Sequence, residues 1–277
     1  MSYSKNWAGL SLDRARIMGI VNVTPDSFSD GGQFHHVDAA LEHGRRLAAE
    51  GADILDVGGE STRPGAAPVS REDELARVLP VVEGLAAEGY LVSIDTRHPE
   101  VMIKAAQAGA KIINDVSGFT TSPNSIETAV QLNLPVCLMH MQGTPETMQQ
   151  APRYVDAAQD VANWLHAQAD AMVEAGFSPD LICLDPGIGF GKTLDHNLSI
   201  MTHWSLYETR FPALLGVSRK SFIQKIMGEE DAAKRLPGSL IAAAAAYRQG
   251  CRLFRVHDVA PTVQALAVED ALIQASH

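Results

Sequence analysis

The sequence predicts a (β/α)8 barrel, one α/β domain covering residues 1–277. Three observations predict it. Eight short apolar runs alternate with eight stretches that carry apolar residues at helical spacing. The runs show no apolar–polar alternation, so each is expected to be buried on both faces, as in a parallel sheet. The 277 residues also match the size of this barrel, about 250 residues for eight strand–helix units. The rival architecture, an open doubly wound sheet, lacks its Gly-x-Gly-x-x-Gly fingerprint after the first run.

In chain order, strands are expected at 17–23, 54–57, 91–94, 111–114, 136–140, 181–184, 213–217 and 253–256. Helices are expected at 37–50, 71–88, 100–108, 125–132, 154–175, 198–210, 237–249 and 259–275. The first, second and third helices meet Gly51, Gly89 and Gly109, residues that readily end a helix. The fifth stops at Gly176, the sixth before Pro212 and the seventh at Gly250. The sixth strand, Leu181-Ile182-Cys183-Leu184, runs into Asp185-Pro186-Gly187-Ile188-Gly189-Phe190-Gly191-Lys192-Thr193. Pro186 and three glycines break regular structure there and let backbone approach a ligand. The loops after the first, second and fifth strands are long, which suits binding loops.

Composition narrows the function. Apolar residues make up 46% and charged residues 20%, enough for a full core. The net charge of -11, from 33 acids against 22 bases, argues against a general nucleic-acid or membrane-surface binder. A small anionic substrate stays compatible, because a few local cations suffice for it. The three cysteines have neither zinc-site nor disulfide spacing and read as buried thiols. No run reaches the ~18 apolar residues of a membrane span, and residues 1–13 lack a signal pattern. A cytoplasmic location is expected.

Nearly every strand ends on polar residues: Asn22 and Thr24; Asp56, Thr62 and Arg63; Asp95; Asn114 and Asp115; His140; Asp185; Ser218, Lys220 and Ser221; Arg255 and His257. One such residue alone reads as a turn or helix cap. Their recurrence puts a polar ring at the carboxyl-end rim, where such barrels do their chemistry. The first loop is polar with one aromatic, Phe28, and suits a lid over a flat ligand. Arg63, in the second loop, could be solvated or pair with Asp26 or Asp30. Ser218-Arg219-Lys220-Ser221 combines hydroxyls with a cation at a helix start, an anion site. Alternation puts Arg255 and His257 on one face; with Asn22 they form a second anion site, able to hold a diphosphate and its metal. Asn22 offers a carbonyl oxygen to Mg2+. Asp95, Asn114 and Asp185 form a wall of donors and acceptors suited to a heterocycle with amino and lactam edges. Two lookalikes fail. Lys192 stands where a dinucleotide fingerprint needs its third glycine, and Pro186 where a P-loop needs its first.

The motifs Asn22-Val23-Thr24-Pro25-Asp26-Ser27-Phe28-Ser29-Asp30-Gly31-Gly32, Asp56-Val57-Gly58-Gly59-Glu60-Ser61-Thr62-Arg63-Pro64-Gly65, Ser93-Ile94-Asp95-Thr96, Ile113-Asn114-Asp115-Val116-Ser117-Gly118, Met139-His140-Met141-Gln142-Gly143, Asp185-Pro186-Gly187-Ile188-Gly189-Phe190-Gly191-Lys192, Ser218-Arg219-Lys220-Ser221 and Arg255-Val256-His257 occur in this order over almost the whole chain. In them the chain resembles the dihydropteroate synthases of bacterial folate synthesis, pterin-binding TIM barrels. The resemblance implies a transferase that condenses 7,8-dihydropterin-6-ylmethyl diphosphate with 4-aminobenzoate to dihydropteroate and diphosphate. It implies a pterin ring held by Asp95, Asn114, Asp185 and Lys220, with Arg255 stacked nearby. The diphosphate would meet Asn22 through Mg2+, together with Thr62, Arg63, Arg255 and His257. The aminobenzoate would lie against Phe28, Pro64 and Phe190, its carboxylate at Ser221. Asp95, Asp185, Lys220, Arg255 and His257 would carry the chemistry, in an SN1-like order. Sulfonamide inhibition and a homodimer through the last helices are further implications. A pterin-dependent methyltransferase, which would not need the diphosphate site, and a non-catalytic pterin-binding protein, which would need neither lid, are the alternatives.

Overall fold

The computed structural model describes residues 5–24, 33–61 and 69–276. Its strands are β1 (Asn6–Trp7), β2 (Leu10–Ser11), β3 (Arg16–Asn22), β4 (Ile54–Gly58), β5 (Val92–Asp95), β6 (Ile112–Asp115), β7 (Val136–Met139), β8 (Ile182–Asp185), β9 (Leu214–Leu215) and β10 (Leu253–Val256). Its helices are α1 (Gln33–Ala49), α2 (Arg71–Ala87), α3 (Pro99–Gln107), α4 (Ser125–Leu132), α5 (Ala157–Glu174), α6 (Leu194–Thr202), α7 (Ser221–Met227), α8 (Leu236–Arg248) and α9 (Val259–Gln274). Strands β3 to β10 form one parallel sheet in the order β8-β7-β6-β5-β4-β3-β10-β9. A parallel bridge from Leu184 to Ala213 joins β8 to the start of β9 and closes the ring. The predicted barrel is thus the observed one.

Two apolar layers share each strand, which is why the sequence shows no alternation. Ile17 and Val21, Leu55 and Val57, Val92 and Ile94, Leu138, Leu184, Phe254 and Val256 pack outward with the helices. Met18, Ile54, Ile112, Cys137, Cys183, Leu214 and Leu253 form a separate cluster inside. The residues two further along several of these strands also point inward: Asp56, Asn114, Asp185 and Arg255. The interior is therefore apolar at its amino-terminal end and polar at its carboxyl-terminal end.

The apolar end has a plug that the sequence reading did not foresee. β1 and β2 form a hairpin whose two turn residues, Ala8 and Gly9, have φ of 51° and 75°. Two positive φ values match the twist of tight hairpins. Trp7 is 1% exposed, packs in the interior cluster and donates its Nε1 hydrogen to the Leu181 carbonyl at 3.1 Å.

Other boundaries shift for local reasons. The helix expected at 198–210 begins earlier, at Leu194, because Thr193 caps it: the Thr193 hydroxyl accepts from His196 N and the His196 ring accepts from Thr193 N. It ends at Thr202, and a short 3-10 turn, Trp204–Leu206, follows. The helix expected from 154 starts at Ala157, where the Asp156 carboxylate accepts from the amides of Ala158 and Gln159. The strand expected at 213–217 is regular only over Leu214–Leu215. The three cysteines are buried free thiols. Among the described residues, no helix is long and apolar enough to cross a membrane.

Candidate active site

The polar ring at the carboxyl-terminal end forms one connected network. Arg255 reaches across the barrel interior. Its Nε donates to Asp56 Oδ2 at 2.6 Å and its Nη2 to Asp95 Oδ2 at 2.7 Å. Asn114 Nδ2 donates to the same Asp56 oxygen at 3.1 Å. Asp95 and Asn114 are direct neighbours in the register of β5 and β6. Asp56 is fully buried; Asp95 and Asn114 are 8% and 3% exposed and reach the mouth. Burial pushes the Asp95 carboxyl up to about 7, against the pull of Arg255 and with help from the Asp56 charge.

Asp185 ends β8 on the opposite side of the mouth. Its Oδ1 accepts from Gly187 N at 2.7 Å, and burial raises its carboxyl above the usual range. Gly187 has a φ of +65°, and a Cβ there would sit 2.1 Å from the His140 carbonyl oxygen. Only glycine fits, so the loop after β8 lies flat against the end of β7. That loop carries Phe190, which packs with Val116, Met139 and Met148 into an apolar wall. Lys220, immediately before α7, places its Nζ 4.0 Å from the centre of the Phe190 ring. Burial lowers the Lys220 ammonium to about 8, with Asp185 opposing that shift. Ser221 opens α7 and is exposed.

Asn22 and His257 lie elsewhere on the rim. They line a cleft of about 700 Å³ together with His43, Arg46, Arg219 and Asp258. The sequence groups Asn22, Arg255 and His257; in the structure the cations lining this cleft with Asn22 and His257 are Arg46 and Arg219, while Arg255 points into the barrel. Arg219, at φ 60°, holds Asp258 through two hydrogen bonds of 2.9 and 2.6 Å. His257 N donates to Ser218 Oγ at 3.2 Å, and His257 Nδ1 pairs with the same hydroxyl at 3.1 Å. Burial, with Arg255 and Arg219 nearby, depresses His257 to about 3, so its ring is neutral at ordinary pH. Among the described residues, no group of three or more His, Cys, Asp or Glu side chains could hold a metal ion. One amide oxygen, from Asn22, would suit Mg2+, an ion that keeps most of its waters and takes few protein ligands. Phe28, Thr62, Arg63 and Pro64 lie outside the described residues.

Two strand-end residues turn out to serve the scaffold. Asp115 points outward, where its oxygens accept from Ser117 N, Ser117 Oγ and Phe119 N at 2.7, 2.6 and 3.1 Å. His140 is a neutral ring, depressed to about 3 by burial and by Lys192, packed edge-on against Trp164.

The arrangement can bind a planar ring whose donor edge meets Asp95 and Asp185, beside an apolar wall, with an anion held at the rim. A family model described as "pterin binding enzyme" matches residues 18–257. The dihydropteroate synthase of Neisseria meningitidis serogroup C is 49% identical over 267 residues, 95% of this chain and 94% of that protein. The chain belongs to the dihydropteroate synthase family of pterin-binding enzymes. As a dihydropteroate synthase it is a transferase. Among solved dihydropteroate synthases, that of Xanthomonas albilineans with 4-aminobenzoic acid superposes with a TM-score of 0.90 at 48% identity, covering 96% of each chain. The same enzyme in complex with 7,8-dihydropteroate gives a TM-score of 0.86 at 45% identity, covering 95% of each chain.

Three residues of this network and its rim carry no functional signal of their own in the sequence. Asp56 was seen as a strand end but not as the centre of the network. Arg219 sat unremarked inside a motif chosen for its neighbours. Lys192 stands out in the sequence only as the residue that breaks a dinucleotide fingerprint. It is 1% exposed, and its Nζ donates to the Phe190 carbonyl at 2.8 Å and the His140 carbonyl at 3.3 Å and pairs with His140 Nδ1 at 3.1 Å. It ties the Phe190 loop to β7. A lysine inside a glycine-rich loop, where carbonyls crowd, was the available signal.

Proposed function

We propose that the barrel mouth, in a single domain, joins 7,8-dihydropterin-6-ylmethyl diphosphate to 4-aminobenzoate, giving 7,8-dihydropteroate and diphosphate. The reading is carried by one observation: Asp95, Asn114 and Asp185 converge at one end of the barrel, fixed by buried hydrogen bonds. Asp95, Asn114, Asp185 and Lys220 hold the pterin ring, with Arg255 beneath it. Thr62, Arg63 and His257 hold the diphosphate, Arg255 adding its charge from inside the barrel. Phe28, Pro64, Phe190 and Ser221 hold the aminobenzoate. Asn22 holds Mg2+, which when bound neutralises charge on the diphosphate oxygens.

The chemistry needs no nucleophile from the protein. The C–O bond to the diphosphate breaks and its electron pair leaves with the diphosphate oxygen. His257, neutral, donates a hydrogen bond to that anion. The exocyclic methylene becomes cationic, and the Asp95 and Asp185 carboxylates favour that charge. The arylamine nitrogen, unprotonated at neutral pH, then adds to form the C–N bond and loses its proton to water. The apolar wall of Phe190, Val116, Met139 and Met148 limits water at this carbon.

The test is diphosphate release. Mixing enzyme, Mg2+, the pterin diphosphate and 4-aminobenzoate should release one diphosphate per dihydropteroate. No release with both substrates bound would leave a pterin-binding protein, and methyl transfer would make it a methyltransferase. Crystals given the diphosphate substrate alone should show C–O cleavage; an intact bond throughout would favour concerted displacement. Sulfonamides, which mimic aminobenzoate, should compete with it.

The same reading includes a homodimer and a cytoplasmic location. The exposed apolar side chains Ile241 on α8 and Val268 and Leu272 on α9 support a second copy docking on these helices. Three unpaired thiols suit a reducing compartment.

A further inference from the structure

Asp56 meets no ligand in the reading above, yet every arm of the ring-binding wall except Asp185 and Lys220 passes through it. One oxygen, Oδ2, accepts from Arg255 Nε at 2.6 Å and Asn114 Nδ2 at 3.1 Å. The other, Oδ1, is buried with no partner among the described residues. Asn114 has two amide hydrogens to donate and one oxygen that accepts. Because Nδ2 gives one of its two hydrogens to Asp56, the amide is held one way round, with the acceptor Oδ1 on the side away from Asp56. Arg255 is committed in the same way: Nε to Asp56, Nη2 to Asp95.

We propose that Asp56 is a positioning residue that sets which heterocycle the mouth accepts, by fixing the Asn114 amide with its oxygen outward and dividing Arg255 between two carboxylates. The inference rests on the pterin reading for the identity of the ring, but not for the geometry. Ligands with an N–H opposite Asn114 are accepted, and isosteres with an acceptor there are rejected. Asp56 also competes with Asp95 for the guanidinium. The charges that act on Asp95 are those of Arg255 on β10, Asp56 on β4, Glu74 on α2, Asp115 on β6 and Lys220 just before α7. Of these, only Asp56 shares Arg255 with it by hydrogen bonds.

Two substitutions separate position from charge. Asp56→Asn keeps an acceptor at the Oδ2 place and loses the charge; Asp56→Ala loses both. Calorimetry with 7,8-dihydropterin is the probe, and circular dichroism reports folding. Asp56→Asn should bind within about threefold of wild type at pH 7.5, while its acidic limit of binding moves to lower pH. Asp56→Ala should bind roughly ten- to a hundredfold more weakly, with KM for 4-aminobenzoate unchanged. Equal losses in the two variants, or an unmoved acidic limit in Asp56→Asn, would overturn the proposal. If Asp56→Ala does not fold, the wild-type protein decides: its Asn114 side-chain amide protons should exchange slowly with solvent even without ligand. Fast exchange overturns the proposal whatever the ligand proves to be. Wild type that binds no pterin at all would instead sink the pterin reading and leave the amide measurement standing.

Discussion

The pH dependence of ring binding follows from Asp95. Its carboxyl is pushed up to about 7, chiefly by burial and despite Arg255. A ring edge that donates two hydrogen bonds needs the ionised form. With a pKa near 7, about three-quarters of the carboxyls are ionised at pH 7.5 and about 3% at pH 5.5. Dihydropterin affinity should therefore fall ~25-fold over those two units, about 2 kcal/mol. The sign is fixed: a raised carboxyl pKa costs binding as pH drops, because the ligand must displace a proton. Above pH 8 affinity should fall again as Lys220 loses its charge, since burial has lowered that ammonium to about 8. The assay is calorimetric titration from pH 5.5 to 9.5, with the ligand's own ionisation measured separately. Asp95→Asn should bind weakly and lose the acidic limb. A flat wild-type profile below pH 7.5, or the same limb in Asp95→Asn, would refute the assignment.

Further predictions concern the two ends of the barrel. Lys220→Ala should weaken pterin binding roughly ten- to a hundredfold without lowering the melting temperature, because burial already disfavours its charge in the fold; unchanged affinity would remove Lys220 from the site. Trp7→Ala should cost about 3–5 kcal/mol in urea unfolding, with kcat and both KM values of the folded protein preserved; lost activity in a folded variant would show that the plug is not remote. His257→Asn should raise KM for the diphosphate substrate and leave both limbs of the pH profile, because the ring is neutral with a pKa of about 3; a vanished limb would mean that His257 was charged.

Periodicity revealed the barrel because each strand answers to two apolar layers, and strands such as Ile54–Gly58 are buried throughout. The same argument could not reveal the plug. Asn6–Trp7 and Leu10–Ser11 are too short to carry a period, and Trp7 finds its cluster through residues as distant as Leu253. At the site, alternation told which strand-end residues share a face. It did not tell which atoms pair. Arg255 was placed on the sequence beside His257, one alternation away. A guanidinium long enough to cross the barrel joined the buried acids Asp56 and Asp95 instead, because an unpaired carboxylate there would be costly. Asp115 looked equivalent to Asn114 in sequence; one residue of register turned it outward to cap a turn.

The charge arithmetic of the mouth links binding to chemistry. Arg255 touches two carboxylates and can cancel only one. Lys220 stands against Asp185 and draws its charge support from it. With Asp95 protonated, the set Asp56, Arg255, Asp185 and Lys220 is neutral and offers nothing extra to a cation. With Asp95 ionised, the mouth gains one negative charge in a site of low dielectric. That charge is available both to the donor edge of a ring and to positive charge spreading into the ring as diphosphate leaves. A single proton on Asp95 thus decides two steps. The acidic limb seen in ring affinity should therefore recur, at the same pH, in the single-turnover rate of C–O cleavage whenever the ring is less than saturating.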